Sequence, residues 1–252
     1  MAEIPLDPEV ITAVRQAQSL VVLTGAGVSA ESGVPTFRDA QTGLWAKYSP
    51  TELASPEAFQ SQPATVLRWY QWRMELIRQA GPNPGHYSLA ELEQLFSRKN
   101  KAYLLITQNV DNLHREAGSQ QLIELHGNIF QLRCHRCRRP AELDLLQVDL
   151  EEGLPRCPAC GSLLRPDVVW FGESLPENDL QTCRERSAGC DLFFSIGTSA
   201  AVQPAASLPL TAESQGALLV EINPRPTALS PRAEFQIAYP SGEVLPLLVS
   251  NL

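Results

Sequence analysis

Residues 20–33 constrain the fold of this chain more than any other stretch. A short apolar run, 20–24, ends directly in a glycine-spaced loop that reads Gly25-Ala26-Gly27-Val28-Ser29-Ala30. This order is typical of a buried parallel strand that leads into a helix N-terminus, where backbone N–H groups and the helix dipole face a pyrophosphate. We expect the first glycine to allow a tight turn, the second to admit phosphate, and Ala30 to pack helix against strand. The stretch predicts a dinucleotide site.

The sequence after this loop departs from that of a dehydrogenase. Dehydrogenases of this kind place an Asp or Glu for the ribose about 20 residues further on. Here the corresponding stretch is Trp45-Ala46-Lys47-Tyr48-Ser49-Pro50. We therefore expect a dinucleotide that is not held for hydride transfer.

Composition excludes several functional classes. The 252 residues are enough for one large domain carrying a small inserted module. A net charge of -8 argues against nonspecific binding to nucleic acid or to a membrane surface. No apolar run approaches the length of a transmembrane helix, and the N-terminus has no signal or transit pattern. We expect a cytoplasmic protein and a monomer.

Four of the six cysteines form two pairs, Cys134-x-x-Cys137 and Cys157-x-x-Cys160, with 19 residues between the pairs. This spacing predicts one tetrathiolate zinc site, and because four thiolates complete the shell, the metal is expected to be structural. The alternatives are chance cysteine pairs, or His135 as a competing ligand. Cys183 and Cys190 have no partner spacing and are expected to be unpaired thiols.

Alternating helices and strands predict an α/β fold with a mostly parallel sheet. Several predicted strands end in small or amide residues, and the carboxyl ends of parallel strands face a common crevice. The long connection over 36–63 lacks periodicity, which favours a functional loop. The predicted helices cover 8–17, 64–79, 88–98 and 176–188, and the predicted strands cover 20–24, 103–107, 191–196 and 217–222.

Five stretches in the same order resemble the sirtuin family of NAD-dependent protein lysine deacylases. They are residues 25–38, Thr107-Gln-Asn-Val-Asp111, His126-Gly127, the paired cysteines, and Gly197-Thr-Ser199 with Asn223. The resemblance implies a Rossmann-like sheet with helices on both faces and a small zinc module. It places the Rossmann-like domain at 1–35, 86–130 and 166–252, the cofactor loop and a helical part at 36–85, and a zinc ribbon at 131–165.

The resemblance also assigns roles to individual residues. His126 would be the catalytic base, and Asn109 would act beside it. The residues expected to bind NAD are Gly25, Ala26, Gly27, Ser29, Ala30, Glu31, Thr36, Phe37, Arg38, Gln108, Asn109, Val110, Asp111, Gly197, Thr198, Ser199, Asn223 and Ala238. The resemblance implies that the substrate would be an acyl-lysine protein, bound through backbone as an added strand along Val169, Phe171 and Gly172. The products would be nicotinamide, O-acyl-ADP-ribose and free lysine.

The chemistry agrees with these residue types. A neutral imidazole can take a ribose hydroxyl proton at cytoplasmic pH, and general-base help of this kind contributes roughly 10²- to 10⁴-fold. A lone histidine before glycine is more often a core residue, but the position of His126 among the other motifs favours catalysis. His86 and His114 lack such neighbours and are expected to be structural.

Tyr70-x-x-Arg73, with the small residue Ala54 upstream, resembles the sirtuin class that prefers succinyl, malonyl and glutaryl groups. Residues at i and i+3 share one helix face, and an arginine fork binds a carboxylate bidentately. One alternative is that Tyr70 and Arg73 form an ordinary solvated helix face. Alternative functions are a plain deacetylase, mono-ADP-ribosylation on the same scaffold, or a zinc-ribbon binding module for nucleic acid or protein. The acidic balance and the complete NAD set disfavour the last of these.

Overall fold

The computed structural model describes residues 6–35 and 48–252. The predicted NAD-binding residues Thr36, Phe37 and Arg38 lie outside this part of the chain. The strands are β1 (Ser19–Thr24), β2 (Ala102–Thr107), β3 (Leu122–Glu124), β4 (Gly127–Cys134), β5 (Pro140–Ala141), β6 (Leu164–Val168), β7 (Leu192–Ile196), β8 (Leu218–Ile222) and β9 (Phe235–Ile237). The helices are α1 (Pro8–Gln16), α2 (Ala26–Ala30), α3 (Pro50–Leu53), α4 (Pro56–Ser61), α5 (Pro63–Gln79), α6 (Pro84–Arg98), α7 (Leu113–Glu116), α8 (Glu177–Ala188), α9 (Leu208–Ser214) and α10 (Ser241–Ser250).

A parallel sheet in the order β3-β2-β1-β7-β8-β9 forms the centre of the fold. Successive residues of β1 pack on opposite faces: Leu20 and Val22 join a cluster with α1, α6 and α10, whereas Val21 and Leu23 join one with α8 and α9. Burial on both faces explains why β1 reads as a continuous apolar run. The predicted α/β class is confirmed.

The strand order reverses between β1 and β7, since the chain continues from β1 to β2 on one side and returns to β7 on the other. Ligands of open parallel sheets bind outside the carboxyl ends of strands at such a switch point. The glycine loop follows β1, and Gly197 follows β7. The topology therefore places both predicted nucleotide loops at one crevice.

A third apolar cluster joins α3, α4 and α5 to β4 and β6. Strands β5, β4 and β6 form a small antiparallel sheet in that order. Strand β4 spans the predicted boundary at 130/131, and β6 spans the one at 165/166. The proposed domain limits at these two points stay a prediction.

Most predicted elements are present, with three differences. Helix α6 begins four residues before the predicted Ser88 because Asn83 caps it, accepting hydrogen bonds from the backbone of Gly85 and His86 at 2.9 and 3.3 Å. The described end of the long 36–63 connection contains α3 and α4. Helices α9 and α10 and strand β9 were not predicted; Pro246 inside α10 obscures its helical pattern.

None of the helices within 6–35 and 48–252 combines the length and apolar character that crossing a membrane requires.

Candidate active site

The glycine loop packs directly on the loop after β7. The N–H of Gly25 donates to Ile196 O at 3.0 Å, and the N–H of Gly27 donates to Gly197 O at 2.8 Å. A Cβ added at Gly25 would lie 2.8 Å from Thr198, and one added at Gly27 would lie 2.7 Å from Gly197 O. Gly25 has φ −127°, which any residue adopts, so its backbone conformation does not require glycine. Glycine is required there for close approach of two loops.

The predicted packing role of Ala30 is wrong. Ala30 is exposed, whereas Val28 and Ser29 are the buried residues of α2. Glu31 turns its carboxylate toward the start of α10, where it accepts hydrogen bonds from Ser241 Oγ at 2.7 Å and from the Gly242 N–H at 3.0 Å. This carboxylate caps a helix N-terminus. Binding of NAD by Ala26, Ala30 and Glu31 stays a prediction.

A buried hydrogen-bond network joins the glycine loop to the end of β2. Asn109 Nδ2 donates to Gly25 O at 3.1 Å and to Ser29 Oγ at 2.9 Å. Burial raises the pKa of Asp111, and hydrogen bonds from Ser29 and from the Leu113 N–H offset part of that effect. Asn109 and Asp111 are 8% and 5% exposed. The two predicted polar residues are therefore held rigidly beside the loop.

The predicted adenosine side is assembled around Thr198. Gln108 Nε2 donates to Thr198 Oγ1 and Asn223 Nδ2 donates to Thr198 O, each at 2.9 Å. These contacts join the ends of β2, β7 and β8. Ser199 is half-buried beside Thr198, and Ala238 is exposed one residue beyond β9. The carboxyl ends of four neighbouring strands thus provide small and amide residues to one crevice.

His126 lies between β3 and β4 and is half-buried. Its Nδ1 lies 3.0 Å from Gln108 O. Because a carbonyl oxygen only accepts, Nδ1 carries the proton and donates it, which leaves Nε2 as the basic nitrogen of the neutral ring. Gly127 follows at φ +83°, and a Cβ there would lie 2.0 Å from Asp167 O. The backbone after His126 therefore requires glycine.

The acidic limb of the activity profile is expected below pH 6.5. Burial lowers the pKa of His126 from its ordinary value of 6.5, and the Gln108 hydrogen bond offsets part of this. A general base acts when deprotonated, so kcat should rise as pH increases through this lowered pKa and then level off. Measuring kcat at saturating NAD and peptide between pH 5 and 8 tests this. A midpoint above 6.5 would contradict the assignment.

Two further histidines lie beneath this network. His86 Nε2 lies 3.4 Å from Ser29 Oγ, and the rings of His86 and His114 are 4.7 Å apart. Burial lowers the pKa of His86 to about 4 and that of His114 well below its ordinary value, with His86 adding to the effect at His114. Both rings are neutral at physiological pH. Residue spacing did not reveal their proximity to the site, because the contacts join separate elements.

Tyr70 and Arg73 are buried, at 2% and 7% exposure, which rules out a solvated face. Tyr70 Oη accepts a hydrogen bond from Trp170 Nε1 at 2.7 Å, and its pKa is raised by burial to about 12. The Cζ atom of Arg73 lies 5.2 Å from the ring centroid of Trp69. Ala54 is buried, and its carbonyl accepts from the Phe171 N–H at 3.0 Å. Ala54 and Tyr70 therefore belong to one apolar cluster with Trp69 and Trp170, and Arg73 lies beside that cluster at Trp69.

The 169–172 segment turns rather than extends, and Gly172 has φ +87°. The N–H of Val169 donates to His126 O at 2.9 Å, and that of Trp170 donates to Glu173 Oε2 at 2.9 Å. With the Phe171 N–H bonded to Ala54 O, three successive donors are occupied within the chain. Because these three N–H groups are already bonded, the same residues would offer a peptide their carbonyl acceptors. Pairing of an added strand here stays a prediction.

Sulfur atoms of Cys134, Cys137, Cys157 and Cys160 all lie within 4.8 Å of one another. Sγ atoms of Cys134 and Cys160 are 3.4 Å apart, and those of Cys137 and Cys157 are 3.7 Å apart. Four sulfurs at about 2.3 Å from a tetrahedral zinc ion lie about 3.8 Å apart. The four cysteines are therefore positioned to bind zinc. The His135 ring lies against Phe59 instead, with centroids 5.2 Å apart.

The fold and site define a nucleotide-dependent α/β enzyme. Its features are a parallel sheet with a glycine loop at the switch point, a neutral histidine at the crevice and a four-cysteine cluster. Comparison with known proteins narrows this class. Residues 25–204 match the Sir2 family. The chain is 49% identical over 247 residues to a protein of Pyrococcus furiosus named NAD-dependent protein deacylase, and the alignment covers 97% of each chain.

Solved structures agree with this relationship. A Sir2 homologue crystallised with NAD superposes with a TM-score of 0.89 at 46% identity, over 98% of this chain and 93% of the other. A Sir2 enzyme with a deacetylated p53 peptide and 3′-O-acetyl ADP-ribose superposes with a TM-score of 0.83 at 34% identity, over 96% of each chain. The chain belongs to the Sir2 family and is an NAD-dependent enzyme.

Proposed function

We propose that this protein removes succinyl and malonyl groups, and more weakly acetyl groups, from lysine side chains of proteins at the expense of NAD. The products are nicotinamide, O-acyl-ADP-ribose and free lysine. Support for deacylation comes from the relatives named NAD-dependent protein deacylases, which are 46 to 50% identical to this chain. Support for the acidic acyl preference comes from the chain's own residues.

Burial of the Tyr70–Arg73 pair is the observation that carries the acyl preference. A guanidinium that is 7% exposed interacts more strongly with a carboxylate than one in water, because fewer waters screen the charge. Burial lowers the pKa of Arg73, yet guanidinium remains a cation in proteins. Tyr70 Oη accepts from Trp170, so its own proton is available to donate. The pair thus offers a carboxylate one charge and an additional donor.

The remaining residues fit NAD and a proton transfer. NAD supplies the ribose carbon that accepts the acyl oxygen when nicotinamide leaves. Asn109, Asp111 and Ser29 form a rigid polar wall beside the glycine loop. The proton of the neutral His126 ring is on Nδ1, so Nε2 is unprotonated and takes the proton of a ribose hydroxyl.

A plain deacetylase is the second candidate, favoured by the Sir2 relative that was solved with a deacetylated peptide and O-acetyl ADP-ribose. Both candidates share the NAD-binding residues and His126. They differ in whether Arg73 meets a carboxylate. An acetyl group ends before such a charge, whereas a succinyl group carries one. Comparing the two acyl groups on one peptide therefore separates the candidates.

Replacing Arg73 with methionine is expected to lower kcat/KM for a succinyl-lysine peptide by about 10- to 100-fold relative to the matched acetyl peptide. One charged hydrogen bond contributes about 1.5 to 3 kcal/mol, and about 1.4 kcal/mol corresponds to a factor of ten. Nicotinamide release measured with both peptides gives the ratio.

Arg68→Met is the matched control, because Arg68 lies on the same helix, is exposed, and pairs with Glu151 at 2.5 Å. It should leave both rates unchanged. Equal losses on succinyl and acetyl peptides in Arg73→Met would reject the acidic acyl preference.

A further inference from the structure

Arg165, in β6, is a buried cation outside the residues assigned to NAD, zinc or substrate. Its side chain is 1% exposed. Nη1 and Nη2 donate to the two carboxylate oxygens of Glu173 at 2.8 and 2.7 Å, and Nη2 also donates to Val168 O at 2.6 Å. Its Cζ lies 3.3 Å from the ring centroid of Trp170. The guanidinium is thus held by a bidentate ion pair and a stacked indole.

Glu173 closes the turn that follows β6. Besides the Arg165 fork, its Oε2 accepts the backbone N–H of Trp170 at 2.9 Å, and Arg133 Nη2 lies 3.6 Å away. Burial alone raises the pKa of Glu173, but the hydrogen bonds from Arg165 and Trp170 outweigh burial and hold that pKa below its ordinary value. Glu173 is therefore ionised and joins Arg165 in β6 to the Trp170 backbone in the turn.

Such a pair is a poor source of stability. Removing two charges from water costs several kcal/mol per ion, and a well-packed apolar pair is often as stable. An apolar pair would not fix orientation as this ion pair does. The two hydrogen bonds to Glu173 fix the plane of the Arg165 guanidinium, and that plane in turn fixes the stacked Trp170 indole. The arrangement is better suited to orienting Trp170 than to stabilising the fold.

Trp170 transmits this orientation to the candidate acyl site. Its indole N–H donates to Tyr70 Oη at 2.7 Å, across 100 positions of sequence. The flanking backbone touches two other site residues, since the N–H of Val169 donates to His126 O and that of Phe171 donates to Ala54 O. One turn therefore contacts the catalytic histidine, the small residue of the acyl site and the tyrosine hydroxyl.

We propose that Arg165 and Glu173 are positioning residues that set the acyl selectivity of the enzyme by fixing Trp170 and, through it, the Tyr70 hydroxyl. Neither residue is assigned to contact substrate or NAD. The identity of the acyl group in this inference rests on the proposed function. Acyl selectivity then depends on the β4–β6 sheet as well as on α5, since Arg165 pairs opposite Arg133, the neighbour of Cys134.

A double-mutant cycle tests this proposal, using Arg165→Lys, Tyr70→Phe and the double variant with matched succinyl and acetyl peptides. Lysine keeps the charge but loses the fork and the stacking plane. We expect Arg165→Lys to lower the succinyl-to-acetyl ratio of kcat/KM about tenfold, through peptide KM, with KM for NAD unchanged. In the Tyr70→Phe background the same change should have less than about a twofold effect, because coupling requires the hydroxyl.

Arg232→Lys serves as the control, since Arg232 pairs with Glu213 on the exposed surface. It should leave all constants unchanged. If Arg165→Lys folds poorly, Glu173→Gln should produce the same selective loss. An effect of equal size with and without the Tyr70 hydroxyl overturns the proposal. So does an equal loss on both peptides with a raised KM for NAD, which indicates a general structural role.

The acyl preference and the positioning role of Arg165 are tested by different results. If the unchanged enzyme shows no preference for succinyl over acetyl peptide, the proposed acyl preference is wrong. The positioning role is then tested with the acetyl peptide alone, where Arg165→Lys should raise peptide KM and leave KM for NAD unchanged. An unchanged peptide KM in that experiment overturns the positioning role itself.

Discussion

His126→Asn is expected to lower kcat by about 10²- to 10⁴-fold while the protein still binds NAD, since that is the contribution of one general base. The asparagine amide can still donate a hydrogen bond to Gln108 O, which His126 Nδ1 contacts at 3.0 Å. It has no basic nitrogen to replace Nε2. The substitution therefore removes proton transfer and preserves the local hydrogen bond. Single-turnover formation of the deacylated peptide measures the rate, because the ribose hydroxyl loses its proton after nicotinamide has left. Calorimetric titration measures NAD affinity.

A thermal melt of the variant provides the control, because His126 is half-buried and its replacement should leave the two packed sheets intact. Turnover within tenfold of the unchanged enzyme would remove His126 from the mechanism. Loss of NAD binding together with a large drop in melting temperature would instead show that His126 acts through the fold.

Removing zinc is expected to unfold the cysteine module and abolish deacylation. The apolar cluster at the four sulfurs is small, since it consists of Cys134, Cys157 and Leu164 with Ala141 packed partly against them. Structural zinc binds with an apparent free energy of order 10 kcal/mol, which is folding free energy in such modules. Strand β4 carries Cys134 and pairs with β6, which leads into the 169–173 turn. Disorder at the thiolates therefore reaches the substrate side.

Zinc content, activity and hydrogen exchange over 135–163 should change together during titration with a chelator. Cys183→Ala is the matched control, because Cys183 is buried between α8 and the parallel sheet, away from the thiolate cluster. This variant should keep full zinc content. Full activity after complete metal removal would show that deacylation does not depend on zinc holding this module folded.

Much of the fold was predictable because its signals are local. Helix α5 was found from the spacing of Val66, Leu67, Tyr70, Met74 and Ile77, all of which are buried. Helix α10 was not, because Pro246 interrupts its pattern and its start is capped by Glu31, 210 positions away. A cap of that kind has no signature near the helix it stabilises.

The candidate site divides in the same way. That the residues expected to bind NAD lie together was predictable, because polar residues at the ends of parallel strands reach one edge of a sheet. The reason for Gly25 was not, since its neighbour is Thr198 rather than a turn of its own loop. His86 was expected to be structural, and its position 3.4 Å from Ser29 Oγ, beside the glycine loop, was not predicted.

The sequence by itself determined the α/β class, the four-cysteine cluster and the position of the glycine loop after β1, because each depends on spacing within one short segment or on strand ends. The catalytic role of His126 stays a prediction. The tertiary structure decided that Tyr70 and Arg73 are buried and that Arg165 and Glu173 hold Trp170 against the Tyr70 hydroxyl. Those properties depend on contacts between elements far apart in the chain. Burial and the orientation of charged groups arise only when such elements pack together.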